Sequence, residues 1–292
     1  MQLFHCNIKI KIFMKQRTII VGTDFSKGSY VALELAIDIA NKMKADIQLV
    51  WVCREKMLYT DDQNNYVRNL ATQKMDDLCQ KWQAKLTDTK ITPFIVQGKV
   101  APVIASMAQK VDATMIVIGT NGASGFEKYW MGSTAVRIVQ EATCPVLSIR
   151  EGFNFHKKLE RILVPLNMTT NSRQKLPVAV KMAKAFDATI HVLGQYENSA
   201  QAQTIGIYIK QAETFMQKQN VSYTSEIMQS KNLADDMLAY ADTISADLIV
   251  ISTEQDQVLS SLFIGTTAQQ LVHHSLIPIL SVHPADINRL AR

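Results

Sequence analysis

The chain reads as an α/β protein made of two tandem, doubly wound domains, each a five-stranded parallel sheet with helices on both faces. Three observations predict this. Short apolar runs such as Ile19-Ile20-Val21 and Met115-Ile116-Val117-Ile118 alternate with helical patterns, and such alternation makes a parallel sheet joined by right-handed crossovers. The whole pattern occurs twice, in the same order. A length of 292 residues allows two domains of ordinary size.

In the first half, residues 17–23 form an apolar run that closes on Gly22-Thr23-Asp24, the expected first strand. Ser26 suits the N-cap of a helix over 27–43, in which Val31, Leu35, Ile39 and Met43 set a buried stripe at helical spacing. Further strands are expected over 46–52, 91–97, 113–119 and 145–150, with helices over 61–87, 101–111 and 132–142 between them. The repeat can be followed in detail. Ile19-Ile20-Val21-Gly22-Thr23-Asp24 lines up with Ile162-Leu163-Val164-Pro165-Leu166-Asn167, and Ala45 to Val50 with Ala188 to Leu193. Ala113-Thr114-Met115-Ile116-Val117-Ile118 lines up with Ala246-Asp247-Leu248-Ile249-Val250-Ile251, and Gly132-Ser133-Thr134-Ala135 with Gly265-Thr266-Thr267-Ala268. The second copy is shorter in its middle, and the long helix after the second strand is the expected place. Domains are expected over 14–150 and 160–284. The connector runs from Glu151 to Glu160, where Gly152, Asn154 and Lys157-Lys158 interrupt the apolar runs. So short a connector implies that the two copies pack on each other.

Candidate chemistry sits after the fourth strand, in Gly119-Thr120-Asn121-Gly122 and then Gly132-Ser133-Thr134-Ala135. Glycines admit close approach of backbone to an anion. Free N–H groups at a helix start, with the Ser133 and Thr134 hydroxyls beside them, suit phosphate. The other reading is plain turn punctuation. Neither Gly-x-x-x-x-Gly-Lys-Ser/Thr nor a Gly-x-Gly-x-x-Gly after an expected strand occurs. Ligands of open parallel sheets bind at the carboxyl ends of strands beside the switch point, so Asp24 and Gly119 can meet across one crevice. Asp24 also reads as an Asx-turn residue at a strand–helix junction.

The spacing Gly-x2-Gly-x9-Gly-Ser resembles the ATP-binding signature of the universal stress protein family. Val21-Gly22-Thr23-Asp24-Phe25-Ser26 and Cys144-Pro145-Val146-Leu147-Ser148-Ile149 resemble that family's first strand end and last strand, in the family's order. The resemblance implies strand order 3-2-1-4-5 in each domain, and ATP as cofactor. It places Gly22, Thr23 and Asp24 at the nucleoside end and the Val52 backbone at the adenine edge. Ile118 and Gly119 would lie against the ribose, and Gly122, Gly132, Ser133, Thr134 and Ala135 about the phosphates, with Asn121 also among the cofactor-binding residues. The motif carries little fixed positive charge, so Mg2+ is expected with the triphosphate. Single-domain members pair through their last strands, so the tandem chain resembles such a dimer made covalent. A further homodimer of tandem chains is compatible with this.

The second copy of the motif is eroded. Asn167 replaces Asp24, Pro165 replaces Gly22 and Gln195 replaces Val52. Ser252 and Gln255 stand for Gly119 and Gly122, with acidic Glu254 and Asp256 flanking the latter, although Gly265 and Thr266 remain. This half is expected to lack nucleotide.

Composition narrows the function. The net charge of +5 is spread without a dense basic face, which argues against nucleic acid as a partner. Lys42, Lys44, Lys81, Lys85, Lys181 and Lys184 read as solvated helix faces. No apolar run approaches the ~20 residues of a membrane span. Cys6, Cys53, Cys79 and Cys144 lack paired spacing, as expected of reduced thiols in a cytoplasmic protein, with Cys53 and Cys144 in the core. Residues 1–13 lack a clean signal-peptide core, and either translation starts at Met14 or they form a dispensable arm. His273, His274 and His283 gather near the end, but adjacent helical histidines diverge by about 100° and no metal site is expected. The leading expectation is an ATP-binding protein with a regulatory or protective role in stress response, and not an enzyme. The alternatives are a scaffold that binds no nucleotide, or a slow ATPase or ATP-dependent enzyme on a related sheet.

Overall fold

The computed structural model describes residues 16–53, 61–120, 133–153, 158–169, 171–253 and 275–283. The first half runs β1 (Arg17–Thr23), α1 (Lys27–Met43), β2 (Ala45–Cys53), α2 (Asp61–Gln83) and β3 (Ile91–Gln97). It continues with α3 (Val100–Val111), β4 (Met115–Gly119), α4 (Ser133–Glu141) and β5 (Val146–Ile149). The second half runs β6 (Arg161–Leu166), α5 (Leu176–Phe186), β7 (Thr189–Tyr196), α6 (Ala202–Lys218) and β8 (Tyr223–Gln229). It continues with α7 (Leu233–Thr243), β9 (Leu248–Ser252) and β10 (Ile279–Val282).

The ten strands among the described residues join one sheet in the order β3-β2-β1-β4-β5-β10-β9-β6-β7-β8. Each half therefore shows the order 3-2-1-4-5, with parallel neighbours throughout. The halves meet at β5 and β10, which pair antiparallel with Leu147 opposite Leu280. Parallel strands covered on both faces read as continuous apolar runs. Ile19 and Val21 accordingly point into one buried layer, while Ile20, Ile116 and Ile118 point into the other. The first layer lies under α1, α2, α5 and α6 and is continuous across the seam, from Leu35 and Leu147 to Leu280. The second lies under α3, α4 and α7.

Local chemistry fixes the element ends. The Ser26 side chain accepts from the Ser29 amide at 3.2 Å and caps α1. Helix α1 closes on Lys44 in the left-handed region, at φ 52°, with its amide returned to the Ala40 carbonyl. The second helix ends at Gln83 and not at the expected residue 87. The Asn41 side chain explains this, since it donates to the Lys85 carbonyl and accepts from the Thr87 amide, holding that backbone in a turn. The shortening of the second copy falls where expected, α2 having 23 residues and α6 having 17. Two burial expectations need correction. Val31 is only half-buried, because it begins the α1 stripe near the open end of the sheet. Cys53 is half-buried too, as the last residue of β2, whereas Cys144 is buried as expected.

Candidate functional site

The crossovers from β1 and β4 leave on opposite faces of the sheet, and these strands are neighbours, so a crevice opens between their carboxyl ends. The loop after β1 is heavily bonded. Thr23 is buried, and its Oγ1 lies 3.1 Å from the Ser29 hydroxyl while accepting from the Phe25 amide. Asp24 is exposed, and its Oδ1 accepts from the Ser26 amide at 3.0 Å, the Asx turn that was the alternative reading of this residue. Between them Phe25 takes φ 63°, a strained conformation for a bulky residue. Its ring tilts against Trp51, with centroids 6.1 Å apart, and Lys74 of α2 holds its ammonium 5.4 Å from the Phe25 centroid. Of these three, only Phe25 falls within a motif of the sequence, and Trp51 and Lys74 carry no signal of their own. The signal available was an aromatic residue placed between a strand end and a helix cap.

Gly119 closes β4 for a reason the motif did not reveal. A Cβ there would lie 2.6 Å from the Gly28 carbonyl carbon and 2.8 Å from the Ser29 nitrogen. Lacking one, Gly119 lets the first turn of α1 pack directly on the strand end. Gly22 is under less pressure, since a Cβ would meet only the Ile118 and Ile104 side-chain ends at 3.3 and 3.8 Å. Ile118 and Ala135 turn their side chains into the core, so whatever they offer a ligand is main chain. Val52 is half-buried near the end of β2, beside the Gly98 amide that donates to the Cys53 carbonyl. Ser133 is exposed and Thr134 half-buried in the first turn of α4. The structure thus brings Gly22, Thr23, Asp24, Ile118 and Gly119 together at the switch point. Asn121, Gly122 and Gly132 lie outside the described residues.

At the matching place in the second half two polar side chains are bonded within the protein. Gln195 is 2% exposed, and its Nε2 donates to the Ser230 hydroxyl at 2.9 Å and the Leu233 carbonyl at 3.1 Å. Ser252 stands for Gly119, and its hydroxyl donates to the Asn171 carbonyl at 3.2 Å. Residues 171–175 run in turns, and α5 does not begin until Leu176, although β6 closes at Leu166. In the first half α1 begins at Lys27, directly after Ser26. Asn167 keeps the turn-forming role of Asp24, accepting from the Thr169 amide and hydroxyl. Gln255, Glu254, Asp256, Gly265 and Thr266 lie outside the described residues.

Among the described residues no group of three His, Cys, Asp or Glu is placed to hold a metal. His273 and His274 lie outside them, and His283 bonds to the Val139 carbonyl at 3.2 Å. Cys53, Cys79 and Cys144 are in no disulfide, and burial pushes the Cys79 thiol up to about 11. No helix among the described residues is long and apolar enough to cross a membrane.

Comparison with known proteins fits this architecture. The sequence profile of the universal stress protein family matches residues 16–150 and again residues 158–283. A universal stress protein of Methanocaldococcus jannaschii is 27% identical over 151 residues, covering 46% of this chain and 82% of that protein. One from Mycobacterium tuberculosis is 28% identical over 181 residues, covering 61% of this chain and 65% of that protein. The crystal structure of a universal stress protein from Archaeoglobus fulgidus superposes with a TM-score of 0.73 at 18% identity, over 91% of this chain and 96% of that one. With two matches spanning most of its length, the chain belongs to the universal stress protein family.

Proposed function

We propose that the chain is a cytoplasmic stress-response protein that binds one ATP, with Mg2+, in its first half and none in its second. The observation that carries this reading is the contrast between the two crevices. In the first half Val52 stands at the end of β2 where the second half has Gln195, Gly119 keeps α1 close, and α4 begins with Ser133 and Thr134 as donors suited to phosphate. In the second half the side chains at the equivalent positions, Gln195 and Ser252, are bonded to Ser230 and Asn171. With no carboxylate cluster among the described residues, the cation would be held by phosphate oxygens and water, and it would neutralise the triphosphate. The proposed role is regulatory or protective and not catalytic.

Titration calorimetry with ATP, ADP and AMP on the full chain tests this, with one nucleotide per chain expected. Gly122→Gln, which copies Gln255, should weaken ATP at least tenfold, about 1.4 kcal/mol, by occupying the space where phosphates approach the backbone. Unaltered ATP affinity in a folded Gly122→Gln chain would sink the phosphate-loop reading. The bonds that already engage Thr23 and Asp24 favour a second reading, a scaffold that binds no nucleotide. It predicts no heat with any of the three. Release of ADP on prolonged incubation would instead mark a slow ATPase.

A further inference from the structure

The antiparallel seam brings the end of β10 beside the carboxyl-terminal end of α4, the helix whose first turn carries Ser133 and Thr134. There His283, from the second half, places Nε2 3.2 Å from the Val139 carbonyl. A carbonyl only accepts, so Nε2 carries the proton. Val139 belongs to the last turn of α4, whose carbonyls must find partners beyond the helix. The donor is itself firmly held. The Thr253 amide and hydroxyl both engage the Val282 carbonyl, at 3.0 and 3.4 Å, immediately before His283. Across the seam the Ser148 hydroxyl donates to the Ile279 carbonyl at 3.3 Å. Helix α4 has nine residues and is too short to be stable on its own, so it depends on such external ties.

We propose that His283 is a positioning residue for the ligand site of the first half. The second half braces α4 from behind and so fixes the donors at its opposite end. This rests on the reading of that site as a nucleotide site. The test compares His283→Leu, which loses the donor, with His283→Gln, whose amide can still reach the carbonyl. Amide hydrogen exchange in the last turn of α4, measured without nucleotide, should speed up in His283→Leu, and its ATP affinity should fall about fivefold. His283→Gln should hold both within about twofold of the parent. Equal behaviour of the two variants, or unchanged exchange and affinity in His283→Leu beside a parent that binds ATP, overturns the proposal alone. A parent chain that takes up no ATP removes the nucleotide reading and the proposal with it.

Discussion

Replacing Gly119 with serine copies into the first half what the second half carries at Ser252. The added Cβ would lie 2.6 Å from the Gly28 carbonyl carbon, 2.8 Å from its oxygen and 2.8 Å from the Ser29 nitrogen. All three are main-chain atoms, so no change of rotamer relieves the overlap, and the first turn of α1 must withdraw by about 1 Å to restore ordinary contact. Withdrawal strains the Ser26 cap on the Ser29 amide and the Thr23–Ser29 hydroxyl pair. Overpacking costs about 1–3 kcal/mol and a lost cap about 1, so the expected destabilisation is about 2–4 kcal/mol. For domains of this size that is a fall in melting temperature of about 5–15 °C. Calorimetric melting gives the size of the effect, and hydrogen exchange of the first amides of α1 gives its place. Gly22→Ala is the control, because its Cβ meets side chains at 3.3 Å and beyond instead of main chain at 2.6 Å, and should cost about 1 kcal/mol. If Gly119→Ser melts with the parent and α1 keeps its protection, the glycine does not set where that helix starts.

Two further outcomes are expected. Gln195→Val, which copies Val52, leaves the Ser230 hydroxyl and the Leu233 carbonyl without their donor, and should cost about 1–3 kcal/mol in urea unfolding. It should not create a second nucleotide site, because Ser252 and the late start of α5 remain, and a stoichiometry of two by calorimetry would contradict this. Acid should destabilise the fold through His191 and His283. Burial holds both imidazoles below their ordinary value of 6.5, reinforced by Arg161 at His191 and partly offset by the Val139 carbonyl at His283. The unfolded chain then binds protons that the folded chain refuses, so their contribution is complete above pH 6.5 and is lost as pH falls toward the folded values. Melting temperature should drop as pH falls below about 6.5, and a slope unchanged by joint His191→Gln and His283→Gln substitution would refute the assignment.

The strands and most helix bounds were legible because their signals are local. Ile19 to Val21 and Met115 to Ile118 are uninterrupted apolar runs, and Ser26 is a cap visible from its neighbours. The site was legible in position more than in mechanism. Gly119 reads as a ligand-approach glycine, yet its steric constraint comes from Gly28, far away in the chain and invisible to any periodicity. Asp24 carried two readings, and the Asx turn is the one with a bond in the structure. The contact between Phe25 and Trp51 needed the register of β1 on β2, which a single sequence does not state. The early end of α2 depended likewise on Asn41, a side chain from another helix.

The antiparallel join of β5 to β10 has a consequence for how the two halves could diverge. In a pair built from identical chains, every substitution appears twice, so a residue that closes one crevice closes both. A chain that holds both partners escapes that rule. Gln195 and Ser252 can occupy one crevice while the other keeps Val52 and Gly119. Because β10 runs against β5, the two crevices also open at opposite ends of the strands. Nor does dilution part the two halves, which one backbone keeps at a fixed ratio of one to one. Loss on one side then leaves a permanent partner whose remaining surface is free to take on other work.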